Sequence, residues 1–272
     1  MRCLYVDLDG TLLGPNASLV TGAGGAFSLL GVRALEACAR AGAEVVIYSG
    51  RKQSSVFECA RMIGSSAFIF ELGCGLVLDG ELEWLTDGIV PSAEAGSIYA
   101  QIEASGAPAA LLERYPGQLE YHTPWSHQRD VSHLFRGEID LMEANSLLAE
   151  WDFGWLRLVD NGVVRAPAEQ MPGLEVVHAY HLIPGAASKA RAVARHMQAR
   201  GYAPGDVIAA GDSREDLGLA SVVGCFWLVA NAVERDPGLA DEISGRPGVR
   251  LADDGYGAGV YEAVVTTLAE ER

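Results

Sequence analysis

Lysine is almost missing from this chain: its 272 residues hold two, Lys52 and Lys189, against 18 arginines. Arginine is therefore the default cation, and each lysine invites a reason. Positive charge is scarce altogether. The formal net charge of −16 argues against nucleic acid or an anionic membrane surface as the main partner, because both select basic patches. A phosphate-bearing ligand must find its positive potential locally. The five cysteines (Cys3, Cys38, Cys59, Cys74, Cys225) are scattered, odd in number and without a C-x-x-C pair. Their spacing suggests neither a disulfide framework nor a zinc site, and a reducing compartment is expected. Long apolar runs are missing too: the longest, around 220–230, is too short to span a bilayer. Met1-Arg2 leads directly into a strand pattern with no signal-peptide core. A cytoplasmic protein, monomeric or a small homo-oligomer, is the expectation. No internal repeat or low-complexity tract stands out.

What is present is a composition 49% hydrophobic, enough for a large core. Short apolar runs alternate with helical periodicity at the start: strand Cys3 to Val6, helix Ser28 to Arg40, strand Glu44 to Tyr48, helix Lys52 to Ile63, strand Ala67 to Phe70. Strands that are apolar without alternation predict a parallel sheet covered on both faces. The pattern returns late, with helix Ala187 to Ala199, strand Asp206 to Ala210, helix Ser213 to Val222, strand Cys225 to Val229 and a helix near Gly259 to Ala269. Between these halves lie helical stretches Ala93 to Ala104 and Ile139 to Trp151, with strand-like runs at Leu119 to His122, Trp155 to Val159 and Val176 to Leu182. Turn signals such as Asp160-Asn161-Gly162 favour hairpins there. The expected fold is α/β, a doubly wound parallel sheet over 1–87 and 184–272, with an α+β domain inserted over 88–183. Gly22-Ala23-Gly24-Gly25-Ala26 follows a loop instead of a strand and reads as a connector, not a dinucleotide fingerprint.

Ligands collect at the carboxyl ends of strands in an open parallel sheet. The first strand ends in Asp7-Leu8-Asp9-Gly10-Thr11, the second in Ser49-Gly50-Arg51, and a late one in Gly211-Asp212-Ser213-Arg214-Glu215-Asp216. Each alone also reads as a loop or helix cap. Together, Asp7, Asp9 and Asp212 make an oxygen-rich pocket whose repulsion is costly without a hard cation, and magnesium fits. Ser49, Gly50 and Arg51 offer a hydroxyl, a close backbone approach and a guanidinium for an oxyanion. Lys189, at the start of a helix, works against the helix dipole. Its placement makes sense as a compact ammonium aimed at the carboxylates, with a solvated helix face as the bland alternative.

These four segments, in this order, resemble the haloacid dehalogenase-like superfamily of phosphohydrolases. The insert looks like the cap of its Cof-like, type-IIB branch, which includes sugar-phosphate phosphatases and mannosyl-3-phosphoglycerate phosphatase. The resemblance covers roughly 1–87 and 184–265. It implies that Asp7 attacks phosphorus to form an aspartyl-phosphate, and that Asp9 protonates the leaving alcohol and later deprotonates water. It implies Mg²⁺ held by Asp7, the backbone carbonyl of Asp9 and Asp212, with Asp216 in support. Gly10, Thr11, Ser49, Gly50, Arg51 and Lys189 are then the residues around the phosphoryl group, Lys189 also pairing with Asp7. The chain departs from close relatives at Glu71-Leu72-Gly73, where Asn-Gly is common, at Ala190, where Gly follows the lysine, and at Glu215, where Asn is common.

The resemblance implies a phosphatase acting on a small phosphomonoester, a sugar phosphate or phosphorylated sugar acid. A phosphomutase using the same intermediate and a non-catalytic phosphate-binding module remain alternatives. Dehalogenation needs neither Asp9 nor the cation pocket, and phosphonate cleavage through a Schiff base needs a cap lysine that the insert lacks. Substrate choice is expected in the insert, at Tyr121-His122-Thr123-Pro124-Trp125-Ser126-His127-Gln128-Arg129-Asp130. There Trp125 could stack on a sugar ring while His127 and Arg129 bind hydroxyls or an anion. An ordinary surface loop is the equal alternative. His178 and His181, on one strand, face opposite ways and make no ligand set.

Overall fold

The computed structural model describes residues 1–164, 171, 173–174 and 176–271. The first half of the sheet forms as the apolar runs predict: β1 (Cys3–Asp7), β2 (Glu44–Tyr48) and β3 (Ala67–Phe70), separated by α1 (Leu30–Ala41) and α2 (Gln53–Ile63). Every residue of β1 and β3 is buried, as strands covered on both faces must be. Two further strands, β4 (Gly75–Leu78) and β5 (Glu81–Trp84), follow. Asp79 and Gly80 between them both take positive φ, 52° and 87°, which a two-residue hairpin turn requires.

The chain then forms α3 (Ile98–Ser105), α4 (Ala107–Arg114), β6 (Leu119–Tyr121), β7 (His133–Gly137), α5 (Leu141–Glu150), β8 (Leu156–Val163) and β9 (His178–Pro184). It returns to the large sheet through α6 (Lys189–Arg200), β10 (Val207–Gly211), β11 (Cys225–Leu228), α7 (Ala230–Arg235), α8 (Gly238–Ile243), β12 (Val249–Leu251) and α9 (Tyr256–Glu270). Where a helix is expected over 213–222 there is a 3₁₀ turn, Asp216–Ser221. The Asp216 side chain folds back to accept from the backbone N–H of Asp212 and Ser213, so this side chain holds the loop that leads into the 3₁₀ turn.

The chain divides into two compact units, residues 1–83 with 188–272, and residues 84–187. The first holds an eight-stranded sheet in the order β12-β11-β10-β1-β2-β3-β4-β5. Its strands from β12 to β3 are parallel and β4 runs antiparallel to β3. β1 lies where the winding reverses, the switch point at which such sheets leave a crevice. α1 packs against α9, and α6 against β3 and β4.

The second unit is a four-stranded antiparallel sheet, β6-β7-β9-β8, with α5 against β8 and α4 against β6. Asp160-Asn161-Gly162 does not turn the chain. It forms a bulge inside β8, where the register with β9 shifts between Asp160 and Val163 and the Asp160 carboxylate accepts from the Gly162 N–H at 2.7 Å. His178 pairs with Asp160 at 2.8 Å and His181 is buried with Nδ1 3.1 Å from Ser132 Oγ. Among the described residues no helix is long and apolar enough to cross a membrane.

Candidate active site

Strand register assembles the site. On β1, Asp7 stands opposite Tyr48 of β2, and Val6 opposite Ala210 of β10. The segments leaving three adjacent strands, Asp7-Leu8-Asp9, Ser49-Gly50-Arg51 and Gly211-Asp212-Ser213, therefore depart from one edge. Gly10 sets how tightly they close: its φ is +87°, and a Cβ there would lie 2.1 Å from Asp212 Oδ2. No side chain is accommodated at that approach.

Lys189 reaches the cluster from the first turn of α6. The Ser188 hydroxyl caps this helix by accepting from the Arg191 N–H at 3.1 Å. The start of α6 abuts the turn after β3, Glu71-Leu72-Gly73, where all three residues take positive φ. A Cβ on Gly73 would fall 2.1 Å from the Ser188 carbonyl oxygen. Lys189 is 1% exposed; its Nζ donates to Asp216 Oδ1 at 2.7 Å and lies 3.7 Å from Asp7 Oδ1, over the Tyr48 ring.

Asp7, Asp212 and Asp216 are all buried, and one carboxylate oxygen from each lies within 4.8 Å of the others. Asp216 is fully committed: Oδ1 to Lys189, Oδ2 to the backbone N–H groups of Asp212 and Ser213 and to the Ser213 hydroxyl. Asp212 Oδ1 accepts from the Thr11 hydroxyl at 3.1 Å, and Oδ2 pairs with Arg235. Asp7 Oδ1 is buried with no hydrogen-bond partner.

Burial pushes the Asp7 carboxyl well above the usual carboxylate range; Lys189 opposes the shift, and Asp216, Asp212 and Asp9 add to it. Burial also raises Asp212, against the pull of Arg235. For Lys189 burial works downward, but Asp216 and Asp7 outweigh it and the amine is held above its usual range as an ammonium. Three buried carboxylates thus face two cations, Lys189 and Arg235. An all-oxygen donor set with a buried carboxylate oxygen unpartnered and one positive charge too few fits a hard divalent cation such as Mg²⁺. Asp7 and Asp212 are the groups with the geometry to hold it.

The remaining candidates divide. Asp9 lies outside this cluster: its side chain is 53% exposed and takes both donors of Arg51, at 2.6 and 2.5 Å. Arg51 is therefore engaged with a carboxylate, and Thr11 with Asp212. Ser49 is buried, its hydroxyl accepting from the Arg51 N–H at 3.2 Å, and Gly50 is buried in the same turn. His127 and Arg129 belong to the second unit. Arg129 is buried and donates to Ser132 Oγ at 2.7 Å and to the Trp125 carbonyl at 3.3 Å, so it holds its own loop, while His127 and Trp125 are exposed.

No family model matches the chain. A protein named phosphoglycolate phosphatase from Pyrobaculum neutrophilum is 27% identical over 98% of this chain and 96% of its own length. The sucrose-phosphatase of Synechocystis superposes with a TM-score of 0.65 at 16% identity, covering 98% of both chains. A haloacid dehalogenase-like hydrolase from Bacteroides thetaiotaomicron superposes at 0.62 with 16% identity, over 97% of this chain and 98% of the other. The chain has the fold of the haloacid dehalogenase-like hydrolases.

Two residues of this site escape a reading of the sequence alone. Asn231, 2% exposed, donates to the Gly10 carbonyl at 2.8 Å and accepts from the Tyr256 N–H at 2.7 Å. Arg235, one turn on, pairs with Asp212. Both follow the end of β11, the next parallel strand, so the strand-end rule that found Asp7, Ser49 and Asp212 also points to them.

Proposed function

We propose that this chain is a phosphoric monoester hydrolase, a Mg²⁺-dependent phosphatase that acts on a small phosphomonoester through an aspartyl-phosphate on Asp7. The observation that carries the reading is the buried Asp7, whose Oδ1 makes no hydrogen bond and lies 3.7 Å from Lys189 Nζ, beside Asp212 at one sheet edge. The full-length likeness to a protein named as a phosphatase supports it.

Asp7 is placed to attack phosphorus: its oxygen forms the new P–O bond while the bond to the leaving alcohol breaks. Lys189, within reach of Asp7, opposes the negative charge that gathers there and on the phosphoryl oxygens. Asp9 gives a proton to the leaving oxygen and takes one from the water that releases phosphate and restores the Asp7 carboxylate. Arg51 binds both Asp9 oxygens with one donor each, which leaves a second lone pair on either oxygen for the proton. When bound, Mg²⁺ supplies the charge compensation that lets an anionic nucleophile approach an anionic phosphate. Thr11 and Arg235 orient Asp212, and Ser49 and Gly50 line the turn beside it. Within the insert, the exposed Trp125 and His127 are the candidates for contacts to the organic part of the substrate.

The test is phosphate release from a panel containing phosphoglycolate, sugar phosphates and phosphorylated sugar acids, with Mg²⁺ and with chelator. Turnover of at least one member, abolished by chelator and by Asp7→Asn, is expected. An Asp7→Asn protein of undiminished activity sinks the nucleophile assignment. Turnover only when an activating bisphosphate is supplied makes the chain a mutase, and phosphate binding without any turnover makes it a binding module.

A further inference from the structure

The opposite, amino-terminal edge of the large sheet holds a second cluster of ligating side chains. Cys3 opens β1 and faces Glu44, the first residue of β2, in register. His196 comes in from α6. Cys3 and His196 are fully buried, and the Glu44 side chain is 17% exposed. The cysteine sulfur, one glutamate oxygen and one imidazole nitrogen lie within 4.8 Å of one another.

The hydrogen bonds around these groups leave one atom out. His196 Nδ1 is 2.8 Å from the Tyr5 hydroxyl. Glu44 accepts from Arg200 at 3.2 Å and from the Tyr202 hydroxyl at 2.9 Å. His196 Nε2 is buried without a hydrogen-bond partner, 3.7 Å from Glu44 Oε1. An unmade hydrogen bond at a fully buried nitrogen is costly and calls for an explanation.

We propose that Cys3, Glu44 and His196 form a structural site for a borderline divalent cation of the Zn²⁺ class, separate from the acidic cluster. Sulfur, nitrogen and oxygen donors in one set are poor ligands for Mg²⁺ and good ones for Zn²⁺. A thiolate and a carboxylate together neutralise a dication. In the tautomer in which Nδ1–H donates to the Tyr5 oxygen, Nε2 presents its lone pair inward, the arrangement by which an outer hydrogen bond orients a ligand imidazole. As the metal–sulfur bond forms, the S–H proton leaves to solvent and no electron changes hands. Three protein ligands leave a fourth position for water. Asp7 lies four residues further along β1, roughly 13 Å away at strand rise. The cation would therefore brace the strand and helix that carry Asp7 and Lys189 without touching the reacting atoms. The scattered cysteines gave no hint of this site, because two of its three ligands are not cysteines and strand pairing brings them together.

The test uses the full-length protein, stripped with chelator and saturated with Mg²⁺, then titrated with Co²⁺ as a spectroscopic probe. One equivalent should bind and produce a sulfur-to-cobalt charge-transfer band with intense tetrahedral d–d absorption. Zn²⁺ should displace it and raise the thermal midpoint. Cys3→Ser should remove the band and weaken binding at least tenfold, whereas Asp212→Asn should leave it intact. Absence of the band from the wild-type protein, or its survival in Cys3→Ser, overturns the proposal. Should Cys3→Ser fail to fold, His196→Gln decides: a shifted spectrum and weakened binding support the site, and an unchanged spectrum removes it.

Discussion

At the residue scale, the same carboxyl chemistry takes different forms over a few ångströms. Asp7 is buried beside Lys189, while Asp9, two residues on, is half-exposed and gripped by Arg51 through two short bonds. A two-pronged guanidinium fixes the plane of a carboxylate, which a lysine at that position could not do. Arg51 is thus a positioning residue for the proposed proton carrier. Arg51→Ala should lower kcat by roughly tenfold to a hundredfold, the usual cost of a misplaced catalytic group. Because the pair is partly exposed, stability should fall by no more than about 1 kcal/mol. Steady-state kinetics beside a denaturation curve separate the two effects, and an unchanged kcat removes Arg51 from the mechanism. Asp7 and Asp212 were legible in the sequence because carboxylates repeated at strand ends need no knowledge of side-chain direction, and Lys189 because lysine is so scarce in this chain. The pairing of Arg51 with Asp9, the engagement of Thr11 by Asp212 and the inward turn of Arg129 depend on rotamers, which one-dimensional spacing does not carry.

At the scale of elements, α6 shows how a local signal serves a distant one. Its Ser188 cap fixes the first turn, and the first turn carries Lys189. Ser188→Ala should cost about 0.5 to 2 kcal/mol, the range for losing a side-chain N-cap, read as a lower denaturant midpoint. Ser188→Asp, which keeps an acceptor at the cap, should recover most of it; equal losses in both variants exclude the cap as the cause. The apolar parallel strands β1, β2, β3, β10 and β11 were legible because burial on both faces writes them as unbroken hydrophobic runs. The β4–β5 hairpin had a readable Asp79-Gly80 turn but short, partly exposed strands. β7 was hidden by its composition: His133 and Arg136 look like loop residues, yet Arg136 is buried against Glu120, its registered neighbour on β6. Asn161-Gly162 misled in the other direction, since the same positive-φ preference that makes a hairpin turn also suits a bulge.

At the scale of the whole molecule, a strongly acidic chain buries three carboxylates, Asp7, Asp212 and Asp216, around one buried lysine, Lys189, so the cluster is electrostatically costly without further positive charge. Asp7 carries much of that cost, since burial holds its carboxyl well above the ordinary range. The folded state therefore binds this proton more tightly than the unfolded chain does, whose carboxyls titrate near about 4. The resulting contribution to stability is present in full below that pH and is lost as pH rises through the raised value. Asp7→Asn removes the ionisation altogether. In metal-free buffer the variant should be the more stable protein near neutral pH, by on the order of 1 kcal/mol or more for each unit of pKa displacement relieved. The advantage should shrink toward the acid end, where the wild-type carboxyl is protonated too. Saturating Mg²⁺ should close the gap from the other side, because a ligand that binds only the folded wild-type site stabilises it by mass action. Denaturant midpoints of both proteins across pH, with and without Mg²⁺, measure all three effects. A gap that is independent of pH, or an Asp7→Asn protein that is less stable at neutrality, contradicts a strained nucleophile.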